Sequence, residues 1–208
     1  MLTPDSPAGW YGKLPALGDF ASRRLPPEFI EAWDAWLAEG LAEWQSRDAE
    51  WLTHYLSGPS WRFVLAPGVI GQDEPRAWAG VLVPSCDRVG RYFPLTLAQP
   101  LDALPADADE AAALLAWLQR LDDVAVDAML EEWPVEQLEA ELERLGAPQP
   151  HAAAPSALAE RLAAESGLQG QCFWVTQGEQ ADLLHVTAGL PRGAALAALL
   201  SGDPDFEA

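Results

Sequence analysis

Lysine is almost absent from this sequence. Lys13 is the single lysine beside eleven arginines, and the formal net charge of the 208 residues is −20. Residues 101–208 contain only four basic side chains against twenty acidic ones. Nucleic-acid binding depends on lysine and arginine side chains that displace counterions from phosphates. The shortage of basic residues therefore argues against a nucleic-acid partner and indicates a well-solvated acidic surface.

Cysteine and histidine are also scarce. Cys86 and Cys172 lie far apart and outside any CxxC pattern, which argues against a disulfide framework or a zinc site. No HxxxH, HxH or Cys/His cluster occurs, so we expect neither a metal nor a cofactor. The sequence has no signal-peptide pattern at its start and no apolar run of about 18 residues. We therefore expect a cytoplasmic protein without membrane insertion.

Apolar residues are abundant by contrast. They make up 50% of the chain and include ten tryptophans, a composition typical of folded globular proteins. A chain of 208 residues is long enough for one compact domain, and two full domains would be crowded. We predict a single domain over residues 1–208, with residues 1–8 and 202–208 as flexible tails.

Helical and extended segments follow one another in blocks. Apolar spacing predicts helices over residues 25–44, 46–59, 107–121, 122–133, 134–146, 156–167 and 190–202, with the Asp122-Asp123 pair as an N-cap. Runs of β-branched and aromatic residues predict strands over 61–66, 77–85, 92–99, 171–177 and 181–187. Pro84 and Pro94 are expected at strand ends, and a tight turn at Gly178 and Glu179 predicts a hairpin.

The connections between the first three predicted strands set the sheet type. They contain about ten and six residues, too few for crossover helices, so neighbouring strands are expected to be antiparallel. The simplest packing is one largely antiparallel or mixed sheet of about five or more strands, covered by helices.

The first of two polar loops is GKLPALGDFASRR, residues 12–24. Its charged residues are Lys13, Asp19, Arg23 and Arg24. The loop is not a phosphate-binding P-loop, because Leu14 stands where a Ser or Thr would hold magnesium and no glycine lies five residues before Gly12. It is not a dinucleotide-binding fingerprint either, because neither GxGxxG nor a preceding predicted strand is present.

The second polar loop is PSCDRVGRYFPL, residues 84–95. It places Ser85, Asp87, Arg88 and Arg91 within seven residues. The loop lacks the G-x-S-x-G pattern of a nucleophile elbow, and the three histidines (His54, His151 and His185) lie apart in the sequence. A hydrolase that uses Ser85 or Cys86 is the enzymatic alternative.

Two interpretations of these loops stay open. In the structural one, Asp19 and Asp87 cap turns or pair with arginines that hold the N-terminal segment against the sheet. In the functional one, the two loops meet and present an anion-binding patch to a partner's phosphate or carboxylate. The candidate residues are the same in both: Lys13, Asp19, Arg23, Ser85, Asp87, Arg88 and Arg91.

At these loops the sequence resembles the TagF family, also called ImpM, of the bacterial type VI secretion system. The resemblance lies in GWYGKLPALGDFASRRLP (9–26), WDAWL (33–37), WRFVLAPGVIG (61–71) and PSCDRVGRYFPLTLA (84–98). In the second half only FWVTQG (173–178) continues it.

The resemblance implies an α/β sandwich with helices on both sides of the sheet, that is, a three-layer α-β-α arrangement. It also implies a cytoplasmic regulator that represses secretion after translation, in the pathway that a threonine kinase and phosphatase control. The suspected partner is a forkhead-associated scaffold protein. It implies no catalytic residues, so a non-enzymatic binding protein is the leading hypothesis.

Two expectations separate the hypotheses. If the loops bind the partner, charge reversal at Arg88 or Arg91 should leave the fold intact and abolish repression. A third hypothesis makes the acidic second half the contact surface for a basic partner, and salt sensitivity of the complex would distinguish it from the loop hypothesis.

Overall fold

The computed structural model describes residues 6–71, 76–148, 156–165, 169–178 and 181–203. These ranges contain seven strands and six helices. The strands are β1 Gly9–Gly12, β2 Ala21–Arg23, β3 Trp61–Leu65, β4 Ala77–Val83, β5 Leu95–Leu101, β6 Gln171–Thr176 and β7 Leu183–Ala188. The helices are α1 Pro27–Arg47, α2 Trp51–Ser57, α3 Ala108–Leu130, α4 Val135–Leu145, α5 Ala157–Glu165 and α6 Ala194–Ser201.

All seven strands belong to one sheet in the order β2-β1-β5-β4-β3-β6-β7, and every neighbouring pair is antiparallel. The five predicted strands are confirmed, and Pro84 and Pro94 lie just outside β4 and β5. The predicted hairpin is confirmed by the β6–β7 pairing. Gly178 donates its N–H to the Ala181 carbonyl oxygen at 3.2 Å, and Glu179 lies outside the described residues.

Strands β1 and β2 correct the sequence interpretation, which predicted no strand before Gly12 and treated residues 12–24 as a loop. They contain only four and three residues, and β1 reads Gly-Trp-Tyr-Gly, so neither shows an alternating pattern long enough to recognise. Their pairing with each other and with β5 makes them strands. The N-terminal segment is therefore part of the sheet.

Side-chain alternation divides the interior into two cores. In β3, Phe63 and Leu65 point to a core with α1, α2 and α6, while Val64 points to a core with α3, α4 and α5. Adjacent strand residues face opposite sides of a sheet. The sheet therefore lies between two helical layers, which confirms the three-layer α-β-α sandwich.

Helix α3 is one helix where the sequence predicted two. Asp107 is its N-cap, and the Asp107 side chain accepts hydrogen bonds from the backbone N–H groups of Asp109 (3.0 Å) and Glu110 (2.9 Å). Asp122 is not an N-cap but lies buried in the middle of the helix. The apolar stripe continues past it through Leu121 and Val124, so burial holds the helix together across the predicted break.

Both polar loops emerge at the same end of the sheet. The strand partners Val83↔Leu95 and Tyr11↔Thr96 place the last residues of β1 and β4 beside the first residues of β5. Strands β3 and β7 begin, and β6 ends, at this end as well. We call it the loop end of the sheet. None of the helices in the described ranges has the length and hydropathy needed to cross a bilayer.

Candidate interaction site

The two loops are joined by a buried ion pair. Lys13 Nζ lies 2.6 Å from Asp87 Oδ2, and the two side chains are 4% and 0% exposed. Lys13 directly follows Gly12, which has a φ of 132°, and a Cβ atom on Gly12 would lie 2.1 Å from the Pro94 carbonyl oxygen. Glycine is therefore required for β1 to pass close to Pro94 and place Lys13 beneath the second loop.

Asp87 is the centre of the hydrogen-bond network. Its Oδ2 atom also accepts from Arg91 Nε at 2.7 Å, and its Oδ1 atom accepts from the backbone N–H groups of Val89 (3.1 Å) and Arg91 (2.9 Å). Burial raises the pKa of Asp87, but the bonds from Lys13, Arg91 and the backbone outweigh burial and hold the pKa well below its usual value. The charged Asp87 carboxylate thus fixes the conformation of its own loop through these hydrogen bonds.

Ser85 is locked in the same network. Its hydroxyl donates to the Lys13 carbonyl oxygen at 2.6 Å. Tyr55 OH donates to the Ser85 carbonyl oxygen at 3.0 Å and accepts from the Ser85 backbone N–H at 2.8 Å. The loop is therefore fastened to α2 as well as to β1.

Further contacts join the loop tips. The Arg88 backbone N–H donates to the Leu17 carbonyl oxygen at 2.8 Å, and Arg91 Nη2 donates to the Gly18 carbonyl oxygen at 2.6 Å. Arg91 Nη2 also lies 3.5 Å from Asp19 Oδ1, in a pair whose side chains are 53% and 79% exposed. These contacts show that the two loops meet, and the pairing of Asp19 and Asp87 with Arg91 is also what the structural interpretation expected.

An aromatic side chain covers the buried pair. Lys13 Nζ lies 4.6 Å from the ring centroid of Phe20, within the range of a cation–π interaction. The Phe20 ring also stacks on Tyr11, with centroids 5.8 Å apart, and meets Phe93 edge-on at 4.9 Å. Phe20 remains 43% exposed, so one part of its ring faces solvent.

The outermost residues of the second loop have few contacts. Within the described part of the chain, the Arg88 side chain is exposed and has no hydrogen bond or ion pair. Val89 beside it is 67% exposed. The candidate site therefore has a buried inner layer of Lys13, Ser85 and Asp87 and an exposed outer layer of Asp19, Arg88 and Arg91.

Arg23 lies apart from the two loops' network. It belongs to β2, and its guanidinium carbon lies 5.9 Å from the Trp10 ring centroid. Its neighbour Arg24 pairs with Glu139 of α4, which also accepts from Trp10 Nε1 at 2.5 Å. Burial raises the pKa of Glu139, but the Arg24 and Trp10 hydrogen bonds outweigh it and lower the pKa. No sequence pattern distinguishes Glu139 from the other acidic residues of the predicted helix over 134–146.

A second buried polar cluster lies beneath α3 and was also missed. Arg62 donates to Gln119 Oε1 (2.7 Å) and pairs with Asp182 (2.8 Å), while Ser60 Oγ donates to Asp122 Oδ2 at 3.0 Å. Among the described residues, Arg62 Nε and Asp122 Oδ1 have no hydrogen-bond partner. Arg62 sits inside the apolar run WRFVL, where no local pattern distinguishes a buried arginine from a surface one.

Within the described part of the chain, neither Ser85 nor Cys86 has a histidine among its hydrogen-bond partners. His54 pairs with Asp48 at 2.8 Å, His185 lies edge-on to Trp61, and His151 is outside the described residues. Burial, and then the negative charge of Asp87, raise the pKa of the Cys86 thiol. In the described ranges, no group of three or more His, Cys, Asp or Glu side chains could hold a metal ion.

These features define an antiparallel α/β sandwich with a two-loop polar site at one end of its sheet. Residues 9–145, which include both loops, match the family described as the TagF N-terminal domain, type VI secretion system-associated. The chain belongs to the TagF family.

Known structures support the same assignment. PA0076 from Pseudomonas aeruginosa PAO1 is 35% identical, with a TM-score of 0.75 over 95% of this chain and 96% of that chain. This likeness extends the shared fold beyond residue 145 to the remaining strands and helices. The phage VqmA–DPO complex, at a TM-score of 0.19 and 14% identity over 74% of this chain and 69% of that one, supports no structural relationship. No curated protein sequence matches the chain.

Proposed function

We propose that this chain is a non-enzymatic cytoplasmic accessory protein that represses type VI secretion after translation. It acts by binding a component of the regulatory or scaffold machinery, and a forkhead-associated scaffold protein is the partner we propose. Membership of a type VI secretion-associated family supports the biological process. The candidate site supports binding as the mode of action, because its buried ion pair fixes the loops and its outer side chains are exposed to a partner.

The observation that carries the proposal is the position of Arg88 and Val89. Arginine is enriched at the centres of protein interfaces, where its planar guanidinium binds carboxylates or phosphates. A free arginine on a surface loop usually loses much conformational entropy when it binds. Here the loop backbone is already fixed by the Lys13–Asp87 pair and by the hydrogen bond from the Arg88 N–H to Leu17. Binding of a partner therefore costs less conformational entropy.

The hydrolase alternative receives little support from the same residues. A serine nucleophile needs a base that accepts its hydroxyl proton, yet the Ser85 hydroxyl donates to a backbone carbonyl oxygen. A cysteine nucleophile needs a lowered thiol pKa, whereas the pKa of Cys86 is raised. Both residues are better explained as parts of the scaffold.

Charge reversal at Arg88 tests the proposal. In cells that lack their own copy of this protein, the Arg88→Glu variant should fail to repress secretion, measured as type VI substrate released into the culture medium. Arg192→Glu is the matched control, because Arg192 is an exposed arginine whose side chain is 70% accessible and pairs weakly with Glu39 at 3.2 Å. A folded Arg88→Glu variant that represses as well as the control would refute the proposal.

Arg91 is less suitable for this test than the sequence suggested. Its guanidinium binds Asp87 and the Gly18 carbonyl oxygen, so its reversal would place a carboxylate beside Asp87 and disturb the scaffold. Loss of repression by that variant would not separate binding from folding. Arg88 is free of this difficulty.

A further inference from the structure

The exposed large apolar side chains of the described residues concentrate at the loop end of the sheet. They are Phe20 (43% exposed), Leu56 (57%), Val89 (67%), Leu130 (77%) and Leu183 (48%). Phe20 directly precedes β2, Val89 lies between β4 and β5, and Leu183 begins β7, all at this end. Single exposed apolar residues are ordinary, but a concentration on one surface marks an interaction site.

The two exposed apolar residues that belong to helices, Leu56 and Leu130, also lie at the loop end of the sheet. Leu56 lies in the last turn of α2, next to Tyr55, whose hydroxyl binds Ser85. Leu130 is the last residue of α3, which begins near the opposite end of the sheet, after β5. The helix runs back toward the loop end, because Asp122 in its second half accepts a hydrogen bond from Ser60, the residue before β3. The 23 residues of α3 span about 34 Å, whereas a strand of seven residues spans about 24 Å. The helix therefore extends past the sheet at its loop end.

The size of this surface fits one folded partner. Six strand spacings separate β2 from β7, which corresponds to about 29 Å at roughly 4.8 Å each. A standard protein interface buries about 800 Å² on each partner, a patch of about 28 Å on a side. One domain can therefore cover the apolar residues of the loop end together.

The charges at the loop end indicate the chemistry of that partner. Arg88 belongs to the connection between β4 and β5, near the middle of the sheet, while exposed acidic residues surround Leu130 at the end of α3. These are Asp127, Glu131 and Glu132. The formal net charge of −20 disfavours a second copy as the occupant, because two copies of the chain repel each other.

We infer that the regulatory partner docks end-on across the loop end of the sheet, as one folded protein with an acidic side chain against Arg88 and basic side chains toward the end of α3. Its footprint covers Val89, Leu130 and Leu183. This inference rests on the proposed function and specifies the surface and the charge of the partner.

Site-specific photo-crosslinking in cells that produce the secretion system tests the footprint. A photoreactive phenylalanine derivative is placed at position 89, 130 or 183, and at 188 as control. Ala188 is exposed and ends the strand that Leu183 begins, at the opposite end of the sheet. The three test positions should give adducts with the same partner, and position 188 should give none. The partner peptide crosslinked to position 89 should contain Asp or Glu.

Substitutions give a second readout of the same footprint. Leu130→Asp and Leu183→Asp should each weaken binding of the identified partner at least about tenfold, whereas Ala188→Asp should leave it unchanged. Arg88→Gln should weaken binding less than Arg88→Glu, and reversal of the facing acidic residue on the partner should restore binding to Arg88→Glu.

The outcomes distinguish this inference from the proposed function. An adduct at position 89 alone, with full binding by the two leucine variants, would indicate a narrow footprint and overturn the inference while leaving the proposed function intact. An adduct of two copies of this 22.5 kDa chain, or no adduct from 130 and 183, would overturn it as well. A neutral or basic crosslinked peptide at position 89 would overturn the assigned charge. The proposed function fails separately, if Arg88→Glu still represses secretion.

Discussion

Lys13 and Asp87 form a buried ion pair across 74 positions of sequence, and this pair holds the two polar loops of the protein together. The single lysine of the chain therefore lies buried at the base of the candidate site. A lysine suits this place because its ammonium is compact, reaches Asp87 on a flexible stem and still contacts the Phe20 ring. Arginine would bring a broad planar group into a closed space.

Removal of the lysine should destabilise the fold. Lys13→Met leaves Asp87 buried without one of its cations, so we expect the Tm to fall by roughly 10 °C in thermal unfolding by circular dichroism. The double variant Lys13→Met/Asp87→Asn should recover part of that loss, because no buried charge remains without its partner. Arg144→Met, which removes only an exposed pair with Glu141, is the control and should change the Tm little. A double variant less stable than the single one would contradict this role of the pair.

The low pKa of Asp87 predicts that the stability of the fold decreases at acidic pH. A carboxyl group whose pKa is lower in the folded state stabilises the fold fully above its unfolded pKa, and this contribution is lost as the pH falls through the folded pKa. We therefore expect the wild-type protein to lose stability below about pH 4, where ordinary aspartates become protonated. The loss between about pH 4 and pH 2 should be smaller in Lys13→Met/Asp87→Asn. Equal acid sensitivity of the two proteins would exclude Asp87 as its source.

Asp122 should affect the pH dependence of stability in the opposite direction. Burial raises the pKa of Asp122, and its bond from Ser60 and the charge of Arg62 do not offset this. The charged form is therefore unfavourable in the folded state, and stability gains as the pH falls through the folded pKa. Asp122→Asn should raise the Tm at about pH 7 and show less advantage at about pH 4. Asp123→Asn, at the exposed neighbouring position, is the control, and a lower Tm for Asp122→Asn at both pH values would contradict the prediction.

Cys86 separates the binding proposal from the hydrolase alternative. Because its thiol has a raised pKa, Cys86→Ala should leave both the Tm and the repression of secretion unchanged. Cys172→Ala is a contrasting variant, since Cys172 is fully buried and its loss leaves a small cavity. A stable Cys86→Ala variant that no longer represses secretion would favour the enzymatic alternative.

The parts of the fold that sequence patterns predicted are those with long apolar segments. Strands β3, β4 and β5 were recognisable because buried β-branched and aromatic runs are bounded by Gly and Pro. Strands β1 and β2 were not, since two short segments become strands only through pairing with β5. The break predicted before Asp122 was wrong because a polar pair looks like a cap, while the buried cluster that holds Asp122 involves residues far away in sequence.

Sequence patterns located the two polar loops of the candidate site, but not the arrangement of their side chains. Spacing alone placed Lys13, Asp87, Arg88 and Arg91 in two polar loops, and the structure shows that these loops meet. The division into a buried support and an exposed Arg88 depends on which atoms each side chain reaches, and no sequence pattern encodes that. For the same reason Arg23, one residue from Arg24 and at the edge of the sheet, was grouped with residues that it does not contact.

The Arg88→Glu variant provides the most direct measurement, with the Tm and secretion determined on the same protein. Since Arg88 has no side-chain partner within the described residues, we expect a Tm equal to that of wild type and of Arg192→Glu. Secretion in cells with Arg88→Glu should rise to the level of cells without the protein, while Arg192→Glu should keep secretion repressed. An Arg88→Glu protein that is as stable as wild type and still represses secretion fully would contradict an interaction site at the two loops.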